Sequence, residues 1–352
     1  MRKFAFHKRQ IWPLTLGAIF VLFFSFHKNE TLMTALWWRV VFPLERRLGD
    51  LTALVDVSVA EVLIISLLAA AFFGLTRALR RRQMKRFLSV LLGTVLTVYA
   101  GFCLLWGTAY YAESFQDRSG LTAQGGTVEE LAAVTARFAE LTAEYAPRVF
   151  RSDEGVFTAA YGDILAAGPR AYENAEKEFP FLTADAVPPK AFAASRALSA
   201  LDFTGFYFPF TGEANINVDV PSAYLPATVC HEMTHQRGYA SEQECTFLGI
   251  HAALISGDPA YAYSGAVTGY TYLSNALYRQ DHNAWQRVYD TLPAEVRADL
   301  AAYRNYWAQF EGKTAQKVSN TVYDGFLKAN GDDLGIQSYG TVVDLLLAYY
   351  NN

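Results

Sequence analysis

Cysteine and charge are both scarce in this chain. Its 352 residues include three cysteines, and only 18% are charged while 52% are hydrophobic. Three cysteines exclude a disulfide-rich scaffold. Cys230 and Cys245 either pair in an oxidising compartment or serve as two small buried apolar residues. A mean hydropathy of +0.10 is apolar for a soluble protein and indicates membrane segments.

Positive charge is scarce from residue 112 onward. Residues 112–352 contain 16 Lys or Arg against 29 Asp or Glu, an excess that the whole-chain net charge of −4 hides. Because a nucleic-acid-binding domain needs a basic face, this balance argues against nucleic acid as a partner.

Three apolar stretches precede this acidic part, at about residues 11–26, 57–76 and 87–111. The second and third approach or exceed the length that crosses about 30 Å of hydrocarbon, and the first is slightly short. A signal peptide is the alternative for the first stretch, but no small-residue cleavage site follows Phe26. We therefore expect three transmembrane helices in a membrane anchor, residues 1–111, and a second domain, residues 112–352.

Basic residues set the expected orientation. Four of them precede the first stretch, and six with no acid lie between the second and third, at residues 77–86. Both segments belong in the cytoplasm by the positive-inside rule. The sequence thus predicts a multi-pass cell-membrane protein with a cytoplasmic N-terminus and an extracytoplasmic C-terminal domain.

The five residues His231-Glu232-Met233-Thr234-His235 form an HExxH motif. On a helix, positions i and i+4 share one face, so two imidazoles can bind one Zn²⁺ and the Glu can act as general base. Pro226 suits the first turn of such a helix and Gly238 suits its end. We expect His231 and His235 to be zinc ligands and Glu232 to be catalytic.

A catalytic zinc usually has a third protein ligand. The nearest downstream carboxylates are Glu242 and Glu244, and spacing does not choose between them. Ser241 and Glu244 match the S-x-x-E capping box of a new helix. That role for Glu244 leaves Glu242 as the expected third ligand, with Glu244 as the alternative.

The surrounding segments predict a mainly α domain with a short sheet. Thr127 and Glu130 form a capping box for a helix that continues to about Tyr145. Residues 213–220 alternate polar and apolar, which predicts a strand just before the motif helix. That strand is either an edge strand that pairs with an extended peptide substrate or a half-exposed structural strand.

Other polar residues are assigned more weakly. A donor is expected to stabilise the oxyanion, and Tyr323 and Tyr339 are guesses among 21 tyrosines. His251 is expected to be structural and His282 to be solvated.

The motif region HEMTHQRGYASEQE resembles a bacterial family of unknown function whose members are polytopic membrane proteins with an extracytoplasmic HExxH domain. The resemblance extends over the whole chain. The family is similar to gluzincins, in which the third-ligand Glu begins an E-x-x-A-[D/N] pattern. This resemblance implies a zincin-like fold and Glu242 as ligand, although Cys245 and Thr246 depart from the pattern.

Together these features predict a membrane-anchored, zinc-dependent metallopeptidase that cuts an exported protein or peptide. The alternative is a non-enzymatic zinc-binding membrane sensor or assembly factor. An intramembrane protease is disfavoured because Arg237, Glu242 and Glu244 follow the motif at once.

Overall fold

The computed structural model describes residues 8–184, 187–329 and 339–351. These residues are mainly helical with one small three-stranded sheet, which confirms the predicted class. The chain divides into two compact units. The first consists of the described residues within Met1–Thr52, Val59–Glu113 and Pro209–Gly212. The second consists of those within Ala53–Ser58, Ser114–Phe208 and Glu213–Asn352.

The first unit is helical throughout its longer segments. Two π-helical turns interrupt it, Trp37–Val41 and Cys103–Gly107. Its helices are α1 Lys8–Phe26, α2 Glu30–Leu36, α3 Phe42–Thr52, α4 Val59–Arg81 and α5 Met84–Phe102.

Two helical segments of this unit are long and apolar enough to cross a membrane, Val59–Arg81 and Met84–Gly107. Only 11% of each apolar window is buried, so their apolar side chains face outward. The prediction of three spans is wrong within the described chain. The apolar part of α1 is confined to Trp12–Phe26, which rises about 22 Å and is shorter than the hydrocarbon layer.

The second unit has twelve helices among its described residues. They are α6 Phe115–Ser119, α7 Val128–Tyr145, α8 Tyr161–Ala171, α9 Glu173–Glu178, α10 Ser195–Ala200, α11 Leu225–His235, α12 Glu242–Ile255, α13 Pro259–Gln280, α14 His282–Asp290, α15 Ala294–Ala308, α16 Thr314–Ala329 and α17 Tyr339–Tyr350. The predicted helix after Thr127 is confirmed as α7, and Thr127 and Glu130 form the predicted capping box.

The core of this unit surrounds α13. Its aromatic residues Tyr261, Tyr263 and Tyr270 are almost fully buried. A Cβ on Gly269 would lie 2.2 Å from the Phe138 ring, so the absence of a side chain there permits the close packing of α7 against α13.

The sheet has the strand order β1-β3-β2, with β1 Lys190–Ala191, β2 Gly205–Phe208 and β3 Glu213–Ile216. β3 pairs with β1 in parallel and with β2 in antiparallel orientation. The predicted strand therefore exists but is shorter, central and fully buried. Both interpretations of it, an edge strand and a half-exposed strand, are wrong.

The alternation in residues 213–217 misleads because its polar residues are buried and hydrogen-bonded. Each has a partner at 2.6 to 2.9 Å: Glu213 with Lys190, Asn215 with Ser58, and Asn217 with Ser199. Polar side chains can remain buried when they are hydrogen-bonded in this way.

Candidate metal centre

The motif helix α11 begins and ends where the sequence predicts. Pro226 occupies its first turn, where a missing N–H costs no hydrogen bond, and Gly238 follows its end with a φ of 93°. Helix α12 packs closely on α11 because Gly249 lacks a side chain. A Cβ there would lie 2.9 Å from the backbone nitrogen of His231.

This packing brings the three predicted ligands together. The ligand atoms of His231, His235 and Glu242 all lie within 4.8 Å of one another. His231 Nε2 lies 3.2 Å from Glu242 Oε2, and His235 Nε2 lies 3.7 Å from Glu242 Oε1. His231 and His235 lie one turn apart at the C-terminal end of α11, and Glu242 lies in the first turn of α12.

The proton on each imidazole is assigned by what its Nδ1 contacts. Thr246 donates its hydroxyl hydrogen to the Glu242 carbonyl, so its oxygen accepts from Nδ1 of His231 at 3.2 Å. The carbonyl of Tyr239 can only accept, and it lies 2.8 Å from Nδ1 of His235. Both rings therefore carry a proton on Nδ1 and direct Nε2 toward Glu242.

The cluster is a set of converging acceptors. Burial alone would raise the pKa of Glu242, but the positive charge of protonated His235 and His231 holds it well below its usual range, so the group is a carboxylate. Burial lowers the pKa of His235, but Cys245 and Glu242 raise it well above its ordinary value, so without a cation a bound proton balances the carboxylate. When both imidazoles are neutral, two Nε2 lone pairs and a carboxylate converge. A single divalent cation satisfies all three at once, and two imidazoles with one carboxylate suit zinc.

Glu232 lies beside this cluster with its carboxylate buried. The residue is 3% exposed, and its Oε2 has no hydrogen-bond partner among the described residues. Burial raises its pKa to about 7, although His231 and His235 work in the opposite direction. An unpartnered carboxylate with such a pKa suits a group that exchanges protons.

Glu244 points away from the two histidines. Its carboxylate accepts from the backbone N–H groups of Phe115 and Gln116, each at 3.0 Å. The predicted capping box is formed only in part: Ser241 accepts from the Glu244 nitrogen, while the Glu244 side chain caps α6 instead. The geometry thus joins Glu242, and not Glu244, to the histidines.

Two aromatic residues approach the cluster. The hydroxyl of Tyr323 donates to Glu242 Oε1 at 2.7 Å, so one of the two guessed tyrosines lies at the site. The side chain of the other, Tyr339, is outside the described residues. Tyr207, which sequence reasoning missed, places its ring 6.4 Å from that of His235.

The remaining histidines and cysteines lie outside the ligand set. His251 is buried between Glu178 and Tyr350, as expected of a structural residue, and His282 is exposed. All three cysteines are buried free thiols in the described chain, so Cys230 and Cys245 do not pair.

Fold and cluster together define a mainly helical protein with two candidate spans and a His–His–Glu constellation. Residues 39–347 match a family described as a protein of unknown function (DUF3810), and the chain belongs to that family. This agrees with the resemblance to a family of unknown function over most of the chain. No curated protein and no solved structure matches the chain.

Proposed function

We propose that this protein is a membrane-associated zinc metallopeptidase. The observation that carries the proposal is the convergence of three acceptor groups, from His231, His235 and Glu242, beside the buried, unpartnered carboxylate of Glu232. A structural zinc site does not require a proton-accepting group next to the metal, whereas hydrolysis does. The α11–α12 arrangement also supports a zincin-like, gluzincin-type site.

Zinc held by His231, His235 and Glu242 would activate a water for attack and polarise the scissile carbonyl. Glu232 is placed to transfer the proton. Its Oε2 is the free acceptor, so it takes the proton of the attacking water and returns it to the leaving amine. Thr246 and the carbonyl of Tyr239 keep Nδ1 of the two imidazoles protonated and their Nε2 atoms available as ligands.

Strand β2 is proposed to lie along the path of an extended peptide. It is an end strand of the sheet in the described part of the chain, and a Cβ on its Gly205 would lie 2.8 Å from Oε1 of Glu232. Tyr207, two residues further along the same strand, lies beside His235. A peptide added along β2 would pass the general base and a ligand histidine in turn.

Tyr323 is proposed as the donor to the developing oxyanion. Its hydroxyl donates to Oε1 of the proposed ligand Glu242 at 2.7 Å, which puts a hydrogen-bond donor at the cluster. Its ring packs against that of Phe203 in an edge-to-face contact, with centroids 5.3 Å apart.

The second unit is proposed to lie outside the membrane. Six basic residues with no acid occur around the connection between α4 and α5: Arg77, Arg80, Arg81, Arg82, Lys85 and Arg86. The positive-inside rule puts this connection in the cytoplasm, so the chain emerges on the opposite side after α5. This placement does not depend on whether α1 spans the membrane.

The test uses the full chain purified in detergent. We expect stoichiometric zinc and cleavage of a peptide library, with Glu232→Gln keeping the zinc and losing the cleavage. Glu144→Gln, an exposed change on α7, is the matched control and should cleave like wild type. Equal activity in Glu232→Gln would contradict the mechanism, and zinc without turnover on any exported peptide would favour the non-enzymatic alternative.

A further inference from the structure

The short helix α6, Phe115–Ser119, lies at the start of the segment Ser114–Phe208 of the second unit. It is held firmly in place. Phe115 is fully buried, and its ring packs within an aromatic cluster. The other rings of that cluster are Phe179, Phe181, Tyr239 and Phe247.

One contact joins α6 to the turn that carries Glu242. Glu244 is only 2% exposed, and its two carboxylate oxygens each accept one backbone N–H of α6, from Phe115 and Gln116. Because Glu242 and Glu244 share the first turn of α12, the contact that fixes Glu244 also fixes the direction of Glu242.

A second contact joins α6 to His235. The Nη1 group of Arg118 donates to the hydroxyl of Tyr239 at 3.0 Å. The backbone carbonyl of the same tyrosine accepts from His235 Nδ1 at 2.8 Å. α6 therefore holds Tyr239, which accepts from His235, and Glu244, which shares the first turn of α12 with Glu242.

We propose that Glu244 and Arg118 are positioning residues through which α6 sets the geometry of the metal centre. This rests on the proposed function of that centre. α6 thus connects to two of the three ligand positions, to Glu242 through Glu244 and to His235 through Tyr239.

The experiment compares Glu244→Ala and Glu244→Gln with wild type, as full chains in detergent. Zinc affinity is measured by chelator competition, ligand geometry by the visible spectrum of the Co²⁺-substituted protein, and stability by thermal unfolding. We expect Glu244→Ala to lower zinc affinity by about 10- to 100-fold and to alter the Co²⁺ spectrum. Glu244→Gln keeps one side-chain oxygen acceptor and should recover part of the affinity.

Glu130→Ala is the matched control, because Glu130 also caps a helix but lies at the start of α7. It should lower the unfolding temperature and leave affinity and spectrum unchanged. Wild-type affinity and spectrum in Glu244→Ala would overturn the proposal, whatever the stability change.

If Glu244→Ala does not fold, a substitution of the half-exposed Arg118 tests the proposal instead. Arg118→Met should lower zinc affinity by about 10-fold and alter the spectrum, and a wild-type result would overturn the proposal. Failure of the wild-type chain to bind zinc would overturn the metal centre itself. A zinc-binding wild type with unaffected variants would overturn only the role of α6.

Discussion

Replacing Gly205 with alanine should disable the proposed general base while leaving the metal in place. The new Cβ would lie 2.8 Å from both Cγ and Oε1 of Glu232, about 0.6 Å inside an ordinary contact of 3.4 Å. It would also lie 3.0 Å from the carbonyl oxygen of Asn215. Asn215 is fully buried in the central strand and cannot retreat, so Glu232 must move.

A displacement of this size is large for catalysis. A misplacement of 1 Å costs about 10²-fold in rate, so we expect kcat/KM to fall by about 10- to 100-fold. Overpacking should reduce the free energy of unfolding by about 1 to 3 kcal/mol. Zinc content should remain stoichiometric, because the clash does not reach α12.

Peptide cleavage, zinc content and thermal unfolding measured on the same preparation test this reasoning. Gly162→Ala is the matched control, since its new Cβ would contact nothing within 4 Å. Wild-type kcat/KM in a folded Gly205→Ala protein would refute the placement of Glu232 against β2. Loss of zinc would show that Gly205 supports the whole cluster and not the base alone.

Three further variants and metal removal test other parts of the centre. Thr246→Val removes the acceptor for Nδ1 of His231 and should lower zinc affinity by about 10- to 100-fold; unchanged affinity contradicts the assigned tautomer. Tyr323→Phe should lower kcat by about 10²- to 10³-fold at full zinc occupancy, whereas a loss of affinity alone would mean that it only orients Glu242. Lys190→Met removes the buried cation that pairs with Glu213 and should cost about 3 to 5 kcal/mol in thermal unfolding, which a further Glu213→Leu change should partly restore. Chelation should lower both activity and unfolding temperature, and added zinc should restore them.

Local sequence signals predicted the parts of the fold that depend on local physics. Pro226, the HExxH spacing and Gly238 located α11 nearly to the residue, because caps and helix periodicity act within a few positions. The Thr127 capping box likewise located the start of α7. Hydropathy located α4 and α5, but it overestimated the short apolar part of α1.

Long-range pairing was not predictable in the same way. The alternation of residues 213–217 indicated a strand, yet its place in the sheet depends on β1, more than twenty residues earlier in the chain. Its polar side became buried because Lys190, Ser58 and Ser199 supply partners from distant segments. A single sequence does not indicate which residues will meet across such separations.

The same limit applies around the metal centre. Gly205 and Tyr207 approach Glu232 and His235 only because β2 packs along α11, and no local pattern marks either residue. The one sequence signal here is a glycine next to a short apolar run, because a glycine in a strand often marks a place where another group approaches the backbone closely. It becomes specific only once the neighbour is known.

Helix geometry explains why the two carboxylates in the first turn of α12 point in different directions. Residues i and i+2 of a helix project about 200° apart, so Glu242 and Glu244 cannot both face one cation. The turn that directs Glu242 to the histidines therefore directs Glu244 to the opposite side, where its carboxylate accepts from backbone N–H groups of α6. Removing the Glu244 carboxylate leaves the N–H groups of Phe115 and Gln116 without this acceptor, and the turn that carries Glu242 loses its tie to α6. The ligand turn and α6 are joined through Glu244, which is why zinc affinity should respond to Glu244 even though that residue lies outside the proposed ligand set.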